Sequence, residues 1–126
     1  MAANIRPKNN QDAFDKVLEA IRNQNYQQSA EGEAWLYRGP NDTCCGIGHM
    51  ILDEMYSKGL EKRSIGEIIK DNSALREYFQ NVNTVLLQDI QYGHDDCLGA
   101  YDRNNSYWEE FMKDLAIEYN LTYTAP

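Results

Sequence analysis

The chain has 126 residues, with 12 Lys plus Arg against 20 Asp plus Glu, a formal net charge of -8. That length suits one domain, large enough to bury a core without disulfide or metal staples. The acidic balance excludes nucleic-acid binding by phosphate neutralisation, which needs a basic face, and docking on an anionic membrane.

No apolar stretch approaches the ~20 residues that span a bilayer, and the first eight residues carry no apolar run behind their charges, so no secretory leader is expected. The three cysteines, Cys44, Cys45 and Cys97, are odd in number and two are adjacent. That is not a disulfide framework, and a reducing cytosol is the expected compartment.

Residues 1–10 read as a polar arm and 11–126 as a single helical domain. Phe14, Val17, Leu18 and Ile21 fall at i, i+3, i+4, i+7, one face of an amphipathic helix, with Asn9 or Asn10 as its cap. Trp35, Leu36 and Tyr37 suit a short strand. Gly39 to Asp42 then suit a turn, and a return through Thr43 and Cys44 closes a minor β-hairpin. A helix is expected from Cys45, with Ile47, Met50, Ile51 and Met55 on its apolar face and Gly59 as its stop.

Ser64 and Glu67 have capping-box spacing. Ser73 is placed to cap a stretch through Leu75, Tyr78 and Phe79. Val82, Val85, Leu86 and Ile90 continue at helical spacing to an end near Gly93. In the last helix Ser106 and Glu109 repeat the capping-box pattern, and Trp108, Met112, Leu115 and Tyr119 form one stripe. Asn120 suits the left-handed C-terminal position, with Leu121 closing over the end. The expected fold is mainly α, about five helices with a minor β-hairpin.

The polar residues that could carry chemistry gather in two places. One holds Cys44, Cys45, His49, Asp53 and Glu54. The other holds Gln91, His94, Asp95, Asp96 and Cys97, just beyond the expected end of the fourth segment. One reading is a thiol nucleophile. Cys45 at a helix start has its thiolate favoured by the dipole and free N–H groups, His94 is the base and Asp95 orients it, as in cysteine-dependent hydrolases and acyl-transfer enzymes. The alternative is that Cys45 is a small buried apolar residue. A further reading is structural zinc: Cys45 and His49 at i, i+4 with His94 and Cys97 at i, i+3 make a closed Cys₂His₂ set, though the spacing is not that of a zinc finger. Otherwise no cofactor is expected. Tyr37, Arg38 and Gln91 are candidate ligand contacts. Gly46 and Gly48 fall short of a dinucleotide fingerprint and suit close packing against the hairpin.

These residues carry a resemblance. Tyr37–Arg38, then Cys45–Gly46–Ile47–Gly48 in place of a Cys-Ala-Val-Gly start, then Asp53–Glu54–Met55–Tyr56, Glu61, Ile90–Gln91 with His94–Asp95, and the Trp108 helix together resemble a family of small uncharacterised bacteriophage and bacterial proteins. The resemblance spans about residues 14–121. Gly46, Leu52 and Lys62 depart from the pattern, and Cys44 and Cys97 lie outside it, which weakens the zinc reading. The resemblance implies a phage-type accessory protein in the host cytosol. Such a protein would bind a host or defence component, or a small ligand, without catalysis, and the cysteine-dependent enzyme is the alternative.

Overall fold

The computed structural model describes residues 6–27, 30–31, 34–40, 43–99 and 105–126, the side chains of 30–35, 94–99 and 105 excepted. The protein is mainly helical: α1 (Asn10–Asn23), α2 (Ile65–Asp71), α3 (Ser73–Tyr78), α4 (Thr84–Gly99) and α5 (Asn105–Glu118). Two-residue strands β1 (Ala30–Glu31) and β2 (Ala34–Trp35) pair antiparallel between α1 and the rest.

The first helix forms as its periodicity predicts. Asn9 accepts from the Asp12 amide, and Phe14, Val17, Leu18 and Ile21 are all buried. The residues just before it do not trail as a polar arm. Pro7 is buried and Lys8 donates its amide to the Asp12 carboxylate. At the far end Asn25 takes the left-handed conformation, and the Tyr26 amide reaches back to the Ile21 carbonyl, a Schellman closure.

The helix expected from Cys45 is not there. His49 closes one α-turn onto Cys45, but Met50 and Ile51 bond three residues back, and Leu52 is extended at ψ 148. Two 3₁₀ turns, Asp53–Met55 and Lys58–Leu60, follow, and Gly59 sits inside the second rather than ending a helix. Two causes combine. Gly46 and Gly48 each weaken a helix by about 1 kcal/mol. In addition Cys45, Gly46, Ile47, Gly48, Met50 and Ile51 are all buried, so the segment has no solvent face and helical period conveys no advantage.

The hairpin from Trp35 to Cys44 likewise reduces to one antiparallel bridge, Arg38 with Cys44. The Gly39 amide bonds the Thr43 carbonyl and the Cys45 amide the Tyr37 carbonyl.

From Ser64 onward the chain is regular. The Ser64–Glu67 capping box is complete. Asn72, not Ser73, caps α3, its side chain accepting from the Leu75 amide, because the chain needs an extended residue between α2 and α3. Helix α4 passes through Gly93 and continues to Gly99. A Cβ at Gly93 would lie 2.1 Å from the Phe111 ring, so the glycine permits close approach of α5 instead of stopping α4. Trp108, Met112, Leu115 and Ala116 bury the inner face of α5. Asn120 closes it at φ 56, with the Leu121 amide on the Ala116 carbonyl.

Glu109 makes no capping box with Ser106. Its carboxylate receives Nε and Nη2 of Arg22 at 2.8 and 2.7 Å, the Tyr26 hydroxyl at 2.9 Å and the Tyr123 hydroxyl at 2.5 Å. Burial pushes the Glu109 carboxyl up, but the hydrogen bonds from Arg22, Tyr123 and Tyr26 outweigh it and hold it below its usual value. Arg22 also donates to the Thr124 carbonyl, and Gln11 exchanges two hydrogen bonds with the Thr122 backbone. The C-terminal tail is thereby strapped across α1. Tyr26 sits at φ 60, a conformation costing on the order of 1 kcal/mol. Its hydroxyl bond to Glu109 and its edge-on contact with Trp108, 5.8 Å between centroids, hold it there.

Candidate functional site

Of the first expected cluster, Cys44, His49 and Asp53 meet on the turns between β2 and α2, while Cys45 is buried and Glu54 exposed, neither of them in the same lining. Glu61 organises the neighbouring residues Tyr37, Arg38 and Tyr56. One carboxylate oxygen accepts the Tyr37 amide at 2.8 Å, and the other accepts the Arg38 amide at 3.3 Å and the Tyr56 hydroxyl at 2.6 Å. Burial and then the Glu61 carboxylate push the Tyr56 phenol up to about 12.

The Tyr56 ring in turn carries the Arg38 guanidinium, 4.4 Å above its centroid. Arg38 Nη2 donates to the Ile51 carbonyl at 3.0 Å and pairs with the Asp53 carboxylate, Oδ1 lying 2.8 Å away. Stacking and hydrogen bonding together fix a planar cation in one orientation.

Gly48 makes this arrangement possible. A Cβ there would stand 2.0 Å from the Tyr37 carbonyl oxygen, so only glycine lets the two backbone segments meet. Gly46 does the same against the Val17 side chain, at 2.8 Å. The expectation of close packing at this Gly-x-Gly is met, although by turns rather than by a helix.

On the other side Gln24, the residue that ends α1, ties the site to the core. Its Nε2 donates to the Cys44 and Gln27 carbonyls, so its oxygen faces the Cys44 amide at 2.8 Å and His49 Nε2 at 2.9 Å. An amide oxygen accepts only, so His49 carries its hydrogen on Nε2. Burial pushes the His49 pKa below its ordinary value, and the ring is neutral at neutral pH. Between these walls lies an open cleft of about 320 Å³, lined by Arg38, Thr43, Cys44, Gly48, His49 and Asp53 among others.

The other expected site residues divide as follows. Cys45 is 3% exposed, and its sulfur accepts the Gly48 amide at 3.2 Å. With no helix beginning at Cys45, the dipole expected to favour its thiolate is missing. Gln91 reaches the first turn of α2, where its side-chain oxygen accepts the Ile65 amide at 2.9 Å. It serves a helix end. Tyr37 is buried, its hydroxyl donating to the Arg63 carbonyl at 2.5 Å, so its ring is a support for the site.

His94, Asp95 and Cys97 belong to α4 rather than to a loop beyond it, and their side chains lie outside the described residues. The proposed pairing of Cys45 with His94 and Asp95 therefore has one described member. In the zinc set, His49 already has Gln24 as partner and Cys45 the Gly48 amide. Among the described residues no group of three His, Cys, Asp or Glu side chains is placed to hold a metal ion, and no helix there is long and apolar enough to cross a membrane.

Sequence reasoning missed Gln24, which stands in a polar run of Asn and Gln that reads as a helix terminus. Cys44, which lies outside the family pattern, has no assigned role in the first cluster, and here its backbone binds Gln24. No family model matches the chain, and no significant match to it exists among the curated proteins or the solved structures compared.

Proposed function

We propose that this chain is a non-enzymatic accessory protein of the phage type, working in the cytosol by holding a small ligand in the cleft at Arg38. The observation that carries this reading is the state of Arg38. Its guanidinium is stacked and hydrogen-bonded into place at the edge of a cleft, with 28% of the side chain still exposed. Preorganising a cation in this way lowers the entropy lost on binding. The cleft volume of about 320 Å³ is at the small end of ligand sites, which run from roughly 300 to 1,000 Å³.

The cysteine-dependent enzyme has less support. A nucleophile must be reached by its substrate, and Cys45 is 3% exposed. The resemblance to phage-encoded proteins supports an accessory role, and the charge of -8 suits a protein that stays soluble and repels nucleic acid.

The test is a screen of neutral, cationic and anionic metabolites by ligand-observed NMR, with the His49 ring signals as reporters of the cleft. Hits that move His49 and vanish in Arg38→Gln support the reading. A screen in which no compound moves His49, or in which hits survive Arg38→Gln unchanged, overturns it.

A further inference from the structure

Resting on that reading of the cleft, we infer that its ligand carries a carboxylate that binds Arg38 in exchange for Asp53. A guanidinium presents five N–H donors. In Arg38 the hydrogen-bond acceptor of the side chain, the Ile51 carbonyl, and its ion-pair partner, the Asp53 carboxylate, both lie against Nη2. Nε and Nη1 have no acceptor among the described residues. A two-pronged carboxylate takes a pair of neighbouring N–H groups, and every such pair on a guanidinium includes Nη2. The seat is therefore already faced by one oxygen of Asp53, as an ion pair at 2.8 Å.

The two occupants of Nη2 are not equivalent. The Ile51 carbonyl is backbone within the buried turn. The Asp53 side chain is 86% exposed, begins a short 3₁₀ turn and holds Arg38 through a single oxygen. An exposed ion pair of this kind is weak, so a second carboxylate that engages both N–H groups displaces it. Asp53 thus stands in the empty protein for the ligand's own carboxylate and keeps the cation paired.

Charge and size narrow the class. Arg38 is the one cation lining the cleft among the described residues, and His49 is neutral there. A monoanion balances Arg38 once Asp53 swings out into water. A dianionic phosphate leaves an uncompensated charge on a protein that is already at -8. The volume of the cleft suits a small organic acid.

The experiment titrates ¹⁵N-labelled protein with acetate and with benzoate at constant ionic strength. Acetamide serves as the neutral counterpart and inorganic phosphate as the dianion. Acetate and benzoate are expected to move the Arg38 side-chain and His49 ring signals, and acetamide to move neither.

Asp53→Asn removes the internal competitor from an exposed position and tightens acetate binding by about two- to fivefold, the strength of an exposed ion pair. Arg38→Lys keeps the charge but loses the fork and weakens binding roughly tenfold. Acetate affinity unchanged in Asp53→Asn, or binding of phosphate in preference to acetate, overturns the exchange while leaving the cleft a ligand site. No movement with either acid, in wild type and in Asp53→Asn, overturns the carboxylate class, and the metabolite screen then decides separately whether the cleft binds anything.

Discussion

Glu109→Gln is the most informative single change for the fold, because it alters charge without altering shape. The native carboxylate serves four donors, two on each oxygen: Arg22 Nη2 and Tyr123 on Oε1, Arg22 Nε and Tyr26 on Oε2. An amide has one oxygen. Whichever way it is turned, its NH₂ faces an arginine N–H, and one pair of donors loses its acceptor. Both side chains of the ion pair are largely buried, at 19% and 13% exposure, so water does not fully replace what is lost.

A hydrogen bond to a charged group contributes about 1.5–3 kcal/mol and a neutral one about 1. At the low end of these ranges, weakening two bonds by about 0.5 kcal/mol each and abandoning two of about 1.5 kcal/mol gives about 4 kcal/mol in total. For a chain of this size that is a fall of about 16 °C in melting temperature. The pH dependence follows from the depressed Glu109 value. A carboxyl lowered on folding contributes stability above its unfolded value, near 4.5, and that contribution disappears as pH falls through the folded value. The gap between wild type and Glu109→Gln in urea denaturation is therefore constant above pH 5 or so and narrows below it. A gap under about 1 kcal/mol at neutral pH, or one that stays constant into strong acid, refutes the description of Glu109 as the charged anchor of the tail.

Three other outcomes are expected. Gly48→Ala, whose Cβ meets the Tyr37 carbonyl at 2.0 Å, costs about 3 kcal/mol because backbone must move; a denaturation midpoint equal to wild type would contradict the close approach. Alkylation mapped by tandem mass spectrometry reaches half-buried Cys44 well before Cys45, since the buried thiol waits for opening of the fold; equal rates would contradict the burial. In an ultraviolet pH titration Tyr56→Phe removes a phenol that ionises at about 12, above the ordinary 10.0, and removal of a phenol titrating at the ordinary value would break the link from Tyr56 to Glu61.

Where sequence and structure agree, the signal is local. Asn9, Ser64 and Asn120 cap or close helices through atoms within five residues of themselves, and the stripes Phe14–Ile21 and Trp108–Leu115 need one buried face each. Such features follow from 3.6-residue geometry alone.

The site is a different case. Tyr37, Arg38, Gly48, Asp53, Tyr56 and Glu61 each stood out in the sequence but never as one set, because periodicity assigned half of them to a helix that the buried Cys45–Ile51 turn cannot be. Gln24 gave no signal at all, its partners lying 20 and 25 residues away.

By itself, then, the sequence determined a mainly helical chain, the caps that start α1 and α2, the close of α5 and a net charge of -8. Each of these depends on neighbours in the chain or on composition. Only the tertiary structure decided that Cys45 is buried, that Gln91 serves a helix end, that Glu109 anchors the tail and that Arg38 faces the cleft. Each of those roles is set by an atom brought close from a distant part of the chain, and the pattern of residues along a sequence does not encode which distant atoms will meet.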